Sequence, residues 1–312
     1  MTITLSPLFV RPLSASGAPP LTRGPAARTL GALALALGLG HTATAQSILG
    51  STAGYGAMAG GTVTINGTGT TVTGNLGAIG AIAGPGSNYT VASGAVVTTS
   101  AQHKTDFTKA FNGLAAMTPT ATLSGSILGT TAGATTLTPG IYKFDSTAQL
   151  TGTLTLDAQG ASQAVWVFQI GSTFTTAAGS SVVFSNLAAN SAAHDGVFWQ
   201  VGTATVFGAT TALKGNVLGG TTYSFGSGAT ISEGRALTGS GTMTFDGANS
   251  FNFVAANSGY SGGLVFDGNN VVASAIPEPA TTTLLVAGFF GLIVGARQLR
   301  QRQAGQRLAA SA

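Results

Sequence analysis

A recurrence of about 20 residues in the second half of the chain restricts the folds open to this sequence. Gly208-Ala209-Thr210 returns as Gly228-Ala229-Thr230, and Phe225 is followed by Phe245 at the same interval. Short runs of Val, Thr, Phe and Tyr between Gly, Asn and Ser predict short strands, which leave a sandwich, a barrel and a solenoid open. A period near 20 with glycine at the corners favours the solenoid, with three strands in each coil of a parallel β-helix.

One segment has helical rather than strand periodicity. Within residues 101–117, Phe107, Ala110, Phe111 and Leu114 recur at the spacing of one helix face. Pro119 disfavours continuation of the helix beyond that point. We therefore predict a single amphipathic helix at about residues 101–117, with its apolar stripe laid along one side of the solenoid.

Residues 1–45 have the three parts of a secretory signal peptide. Arg11, Arg23 and Arg28 precede an apolar run at residues 30–40, and small residues at 43–45 suit cleavage before Gln46. The apolar run is too short to span a bilayer. The sequence therefore predicts export, and the solenoid is expected to occupy residues 46–254, followed by a linker at 255–275.

The C-terminal segment, residues 276–312, has a second pattern. Pro277, Glu278 and Pro279 precede an uncharged apolar stretch at residues 281–296, which arginines follow. This order resembles the PEP-CTERM sorting signal of Gram-negative bacteria. The resemblance implies transient inner-membrane anchoring by a transmembrane helix, recognition by an exosortase, removal of the tail, and delivery to the cell surface or extracellular matrix. The alternative is a simple C-terminal membrane anchor with the arginines in the cytoplasm.

The formal net charge of +4 belongs to these two end segments. Between Gln46 and Ala275 there are five basic and seven acidic side chains, a net charge of −2. No basic patch exists in that region to neutralise phosphates, which excludes nucleic acid as an expected partner. The chain has no cysteine and only 6% charged residues, so hydroxyls and backbone rather than ions must cover its surface.

The polar residues give little support to catalysis. His103 lies in the predicted helix, His194-Asp195 is typical of a solvated turn, and the remaining acids are scattered singly. No cysteine or histidine cluster suits a metal, and no cofactor is expected. Trp166 and Trp199 lie in apolar strand runs and are predicted to pack in the core. Glu233 and Arg235 are predicted to form a structural pair at a coil corner.

Several motifs in order resemble the bacterial and fungal ice-binding β-solenoid family. They cover about residues 47–253 and comprise residues 55–63, Gly74-Asn75-Leu76-Gly77, Leu137-Thr138-Pro139-Gly140-Ile141-Tyr142, 165–170, 197–202, 214–218 and 234–237. The resemblance implies a mostly β, right-handed, discontinuous parallel β-solenoid of triangular cross-section with one long α-helix packed alongside. It also implies a non-enzymatic monomer that binds ice through one flat face.

Two rows of hydroxyl side chains are candidates for that face, because a strand threonine presents a methyl beside a hydroxyl. The first row is Thr68, Thr71, Ser181, Thr210 and Thr230; the second is Thr205, Thr222, Thr242 and Thr244. The repeating Gly-Ala-Thr register favours the first row. A structural or adhesive protein of the exopolysaccharide matrix is the alternative function, and a β-helical lyase is a third.

Overall fold

The strands of the protein wind into a solenoid with three parallel sheets, which we name sheet A, sheet B and sheet C in the order in which each coil forms them. The structure is a computed structural model and describes residues 47–189, 191, 194–252 and 260–274. Neighbouring strands in each sheet come from coils stacked on one another, so like positions lie directly above one another. This arrangement confirms the predicted mostly β fold with one α-helix.

Each sheet runs from one end of the solenoid to the other. In that direction, sheet A contains Val96–Thr98, Asn75–Ala78, Tyr55–Ala59, Ala236–Thr238, Asn216–Gly219, Gly196–Val201, Val165–Ile170, Gly140–Phe144 and Ala121–Thr122. Sheet B contains Ile82–Ala83, Val63–Ile65, Met243–Phe245, Tyr223–Phe225, Thr205–Phe207, Phe174–Thr176, Ala148–Leu150 and Ile127–Leu128. Sheet C contains Tyr89–Ala92, Thr70–Thr73, Ser250–Asn252, Thr230–Ser232, Ala212–Lys214, Ser181–Ser185, Thr153–Asp157 and Thr136–Leu137.

The coils do not stack in chain order. Tyr55–Ala59 lies between Asn75–Ala78 and Ala236–Thr238, so the first coil is inserted beside the last regular one. The helix Ala101–Ala116 then connects the strand Val96–Thr98 at one end of sheet A to Ala121–Thr122 at the other end. The solenoid is therefore discontinuous, as the family resemblance implies.

Aromatic side chains fill the interior. Phe207, Phe225 and Phe245 stack in successive coils, with ring centroids 4.5 Å and 5.1 Å apart. The ring of Phe168 lies 3.9 Å from that of Trp199. Trp166 and Trp199 are both fully buried, which confirms their predicted place in the core. Such stacking adds to the stability gained from apolar burial alone.

The helix lies on the outer surface of sheet A. Its buried side chains Phe107, Ala110 and Leu114 pack with apolar residues of sheet A in a second core. Ser100 caps its N-terminus together with His103. At the other end, the Gln169 amide nitrogen donates to the carbonyl of Leu114 at 2.7 Å and to that of Met117 at 2.8 Å, satisfying carbonyls that the helix leaves open.

Part of the segment assigned to a linker is ordered structure. Leu264–Asp267 and Asn270–Ala273 form an antiparallel hairpin, which the expectation of a linker at 255–275 missed. Leu264 and Val271 are buried in the same core as the helix stripe, and the Lys109 ammonium lies 4.2 Å from the ring centroid of Phe266. These apolar and cation–π contacts hold the hairpin against the helix.

The predicted signal peptide at 1–45 and the C-terminal segment, including Pro277, Glu278 and Pro279, lie outside the described residues. Among the residues that the structure describes, no helix is long and apolar enough to cross a membrane.

Candidate functional site

The outer surface of sheet A is not free to bind an extended ligand. The helix and the hairpin cover its outward apolar side chains, which include Met58, Val167, Phe198, Leu218 and Leu237. The outer surfaces of sheet B and sheet C are left for comparison.

Sheet C carries most of the row favoured by the sequence. Its register places one outward column in the order Thr153, Ser181, Ala212, Thr230, Ser250, Thr71 and Thr90. Ser181, Thr230 and Thr71 thus share a column, as the sequence grouping requires. Thr68 is exposed in the turn before the strand Thr70–Thr73, outside this column.

Thr210 also lies outside the column, because the repeated triplets are not in register. Ala212, not Thr210, pairs with Thr230, so these two coils differ by 18 residues rather than the 20 of the triplet spacing. Thr210 instead forms a corner with a left-handed backbone, φ +57°, stacked between the corners at Gly179 and Gly228. The predicted Gly-Ala-Thr register is therefore wrong by two residues at this corner.

Sheet B carries two adjacent outward columns. The central column runs Ile127, Gln149, Thr175, Val206, Ser224, Thr244, Thr64 and Ala83. The second column lies two positions earlier in each coil and runs Thr147, Thr173, Ala204, Thr222, Thr242, Thr62 and Ala81. Three members of the second predicted row, Thr222, Thr242 and Thr244, belong to this surface. Thr205 does not, because it faces the interior and is fully buried.

A larger share of the outward hydroxyls bonds within the protein on sheet C than on sheet B. On sheet C, Ser181 lies 3.0 Å from the Thr153 hydroxyl, and Thr230 donates to the Thr211 carbonyl at 3.3 Å. On sheet B, the hydroxyls of Thr62, Thr64, Thr147, Thr175, Thr222, Ser224, Thr242 and Thr244 form no hydrogen bond with any other part of the chain that the structure describes. Thr173 is the exception on this surface, at 3.0 Å from the Thr203 hydroxyl. The other eight hydroxyls on this surface are therefore left for solvent.

The two sheets also differ in charge. Sheet C carries the ion pair of Lys214 and Glu233, with the ammonium 3.2 Å from the carboxylate. The outward columns of sheet B contain no charged side chain. The charges nearest to it lie at its corners: Asp246 accepts a hydrogen bond from Asn66 at 3.2 Å, and Asp145 pairs at 2.9 Å with Lys143 of a sheet A strand.

Sheet B is backed by a rigid layer. The Tyr223 hydroxyl, inside the sheet, donates to the carbonyls of Val217 at 3.0 Å and Leu237 at 2.9 Å, which ties sheet B to sheet A through the core. Its burial raises the pKa of the phenol, so the hydroxyl remains a donor. A close-packed interior leaves the strands above it little freedom to move.

The other polar residues singled out in the sequence are structural. Asp195 is fully buried and accepts hydrogen bonds from the Ala164 amide at 2.7 Å and the Ser191 hydroxyl at 2.6 Å. Burial raises the pKa of its carboxyl, although these hydrogen bonds and His194 oppose that effect. No group of three His, Cys, Asp or Glu side chains suited to a metal occurs among the described residues.

Arg235 is buried at the start of a sheet A strand. Its guanidinium donates to the Ala53 carbonyl at 2.9 Å, to the Asn216 side-chain oxygen at 2.7 Å and to the Ser261 hydroxyl. Glu233 pairs instead with Lys214, which corrects the predicted pair of Glu233 with Arg235. Glu233 lies in the corner before the strand with a left-handed backbone, φ +55°, and stays partly exposed, whereas Arg235, two residues later, is fully buried.

Comparison with known proteins identifies the family of this solenoid. Residues 51–250 match the family model described as "Ice-binding-like". An "Ice-binding protein" of Nostoc sp. (strain HG1) is 39% identical over 207 residues, covering 65% of this chain and 73% of the Nostoc protein.

Solved structures agree with this match. An ice-binding protein from an Antarctic biological consortium has 36% identity and a TM-score of 0.57, with 66% of this chain and 90% of that one covered. That of the Antarctic ascomycete Antarctomyces psychrotrophicus has 30% identity and a TM-score of 0.58, with 66% and 97% covered. The chain therefore belongs to the ice-binding-like family.

Proposed function

We propose that this protein binds ice through the outer surface of sheet B. The observation that carries the proposal is the pair of uncharged columns whose hydroxyls are left for solvent. Family membership supports the target, since the related bacterial and fungal proteins are named for ice binding.

The geometry of stacked strands suits an ordered layer of water. Parallel strands lie about 4.8 Å apart, so eight strands extend the surface over roughly 34 Å. Thr62, Thr64, Thr242 and Thr244 form a contiguous block in which each side chain presents a methyl and a hydroxyl. Threonine is stiff at χ1, so these groups lose little freedom when they hold water. Ordered waters bridge two surfaces nearly as favourably as direct hydrogen bonds.

This assignment moves the proposed site from the row favoured by the sequence to the alternative one. Some hydroxyls of the first row form hydrogen bonds within the protein, and the row shares sheet C with the Lys214–Glu233 ion pair. A fixed charge holds its own hydration shell, which competes with water ordered as in ice. On sheet B only Thr173 among the outward-column hydroxyls bonds within the protein, and no outward-column side chain is charged, which supports the proposal.

The test compares matched substitutions on the two sheets in the full chain. Thr64→Tyr and Thr244→Tyr place bulk in the middle of the sheet B surface, and Thr230→Tyr places the same bulk on sheet C. We expect each sheet B variant to lose inhibition of ice recrystallisation, while Thr230→Tyr keeps it. The reverse result would move the site to sheet C, and an inactive wild-type protein with a native circular-dichroism spectrum would refute ice binding.

We also propose that the protein is exported, with the signal peptide removed before Gln46. The three-part pattern of residues 1–45 supports this. Sequencing the N-terminus of protein recovered from the cell envelope or medium tests it. A mature protein that retains residues 1–45 would contradict export by this route.

A further inference from the structure

One corner of the solenoid, between the end of each sheet C strand and the start of the next sheet A strand, gathers both ends of the described fold. We call it the C–A corner. Ser47, where the described chain begins, places its hydroxyl 3.4 Å from the Ser261 carbonyl. Ser274, where it ends, donates its amide to the Gly263 carbonyl at 2.9 Å. The two ends therefore contact one tripeptide, Ser261–Gly263.

That tripeptide is fixed to the solenoid. Ser261 forms an antiparallel bridge with Gly196, the first residue of a sheet A strand. The Gly262 amide donates to the Asp195 carbonyl at 3.0 Å. The Gln163 side chain, just before another sheet A strand, donates to the Gly263 carbonyl at 3.0 Å and to the Ser274 hydroxyl at 2.8 Å. These bonds hold Ser274, the last residue that the structure describes, at this corner.

The C–A corner lies opposite sheet B. Each coil has three sides in the order sheet A, sheet B, sheet C, so the corner shared by sheets A and C is the one that sheet B does not touch. The helix and hairpin, which cover sheet A, add bulk away from sheet B. A structure attached beyond Ser274 thus meets the solenoid on the side remote from the proposed ice surface.

We propose that the protein tethers a lipid bilayer to ice, with the C–A corner towards the bilayer and sheet B towards the ice. The proposal rests on the proposed ice binding and on the alternative in which the C-terminal segment is a retained membrane anchor. Residues 281–296 are uncharged and apolar and are followed by Arg297 and Arg300, a composition that favours a membrane over a polysaccharide partner.

The test uses the full chain reconstituted into fluorescent vesicles of phosphatidylethanolamine and phosphatidylglycerol. We expect ice grown slowly from the suspension to retain these vesicles. The Thr64→Tyr, Thr244→Tyr double variant should reduce retention to the level of protein-free vesicles, whereas Thr230→Tyr should leave it unchanged.

Orientation is tested by attachment at chosen points, since the chain has no native cysteine. Beads coupled through Ala273→Cys, beside the C–A corner, should adhere to ice, and beads coupled through Ser224→Cys on sheet B should not. Equal adhesion of both would overturn the orientation, as would failure of the Ala273→Cys beads.

The remaining outcomes separate this inference from the proposed function. A full chain that fails to enter vesicles, or vesicles that ice rejects, would overturn the tether if the free full chain still inhibits recrystallisation. Loss of activity in the free wild-type chain as well would instead refute ice binding itself.

Discussion

Replacement of Arg235 by methionine is the sharpest test of how the discontinuous solenoid is held together. Arg235 joins three parts of the chain that are distant in sequence: the Ala53 carbonyl, the Asn216 side chain and the Ser261 hydroxyl. Methionine keeps an unbranched apolar stem like that of arginine but lacks the guanidinium, so it donates no hydrogen bond. The substitution therefore removes the polar contacts while keeping the packing of the stem.

The magnitude follows from the acceptors left behind. Each buried acceptor that loses its donor costs about 1–3 kcal/mol, and the Ala53 carbonyl and the Asn216 oxygen both lose a charged one. Asn216 keeps a contact with Ser261 at 3.3 Å, which limits its share. Relief of the buried charge offsets part of the loss. We expect the free energy of unfolding to fall by roughly 3 kcal/mol, equivalent to about 6–12 °C in Tm for a fold of this size.

Urea unfolding followed by tryptophan fluorescence measures this change, since Trp166 and Trp199 are both fully buried. Lys143→Met is the matched control, because its ion pair with Asp145 is exposed and contributes at most about 1 kcal/mol. If the urea midpoint of Arg235→Met falls no further below that of the wild type than the midpoint of Lys143→Met does, with an unchanged slope, then Arg235 does not hold the three segments together.

Three further substitutions test other parts of the structure. Asp195→Asn should flatten the pH dependence of stability. Because burial raises the pKa of Asp195 above its ordinary 3.8, the folded chain binds more protons than the unfolded chain between 3.8 and the raised pKa, and wild-type stability falls as pH rises through that range. Urea midpoints that change equally with pH in wild type and variant would contradict a raised pKa of Asp195. Val206→Thr should lower the concentration needed to inhibit recrystallisation, because it continues the hydroxyl column at a site 42% exposed, and it should change stability by less than about 0.5 kcal/mol. Gly234→Ala should unfold the chain or lower the free energy of unfolding by more than about 4 kcal/mol, because the new Cβ would lie 1.8 Å from the Gly215 carbonyl oxygen. Gly86→Ala is the control in thermal melts, because a Cβ at that position meets nothing within 4 Å.

The stacking and the helix were accessible from sequence because each is a periodic property. Phe225 and Phe245 occupy one inward column, as their interval predicts, and the helix stripe packs as its 3.6-residue period requires. The order in which coils stack was available only through the family resemblance. No local pattern indicates that Tyr55–Ala59 pairs with Ala236–Thr238.

The candidate surface is harder to predict from the sequence, because it depends on where each corner begins and ends. A coil of 18 rather than 20 residues takes Thr210 out of register with Thr230, although their triplets are identical. One step along a strand turns Thr205 inward while its neighbour Val206 faces out. Whether a hydroxyl is free for solvent depends on the residue across the ladder, and sequence alone does not supply that residue.

The positions of the charged side chains give the low charge of the solenoid a structural meaning. Twelve charged residues lie between Gln46 and Ala275, and none of them is in the outward columns of sheet B. Lys104, Asp106 and Lys109 are on the helix over sheet A, and others, such as Lys214, lie on sheet C or at the C–A corner. A low content of charged residues alone would reduce the number of charges on every side of the coil. In this solenoid, the outward columns of sheet B contain none of them. The side whose outward columns are free of charge also leaves most of its hydroxyls for solvent and lies opposite both ends of the described fold, so these three features support the proposed ice surface on sheet B.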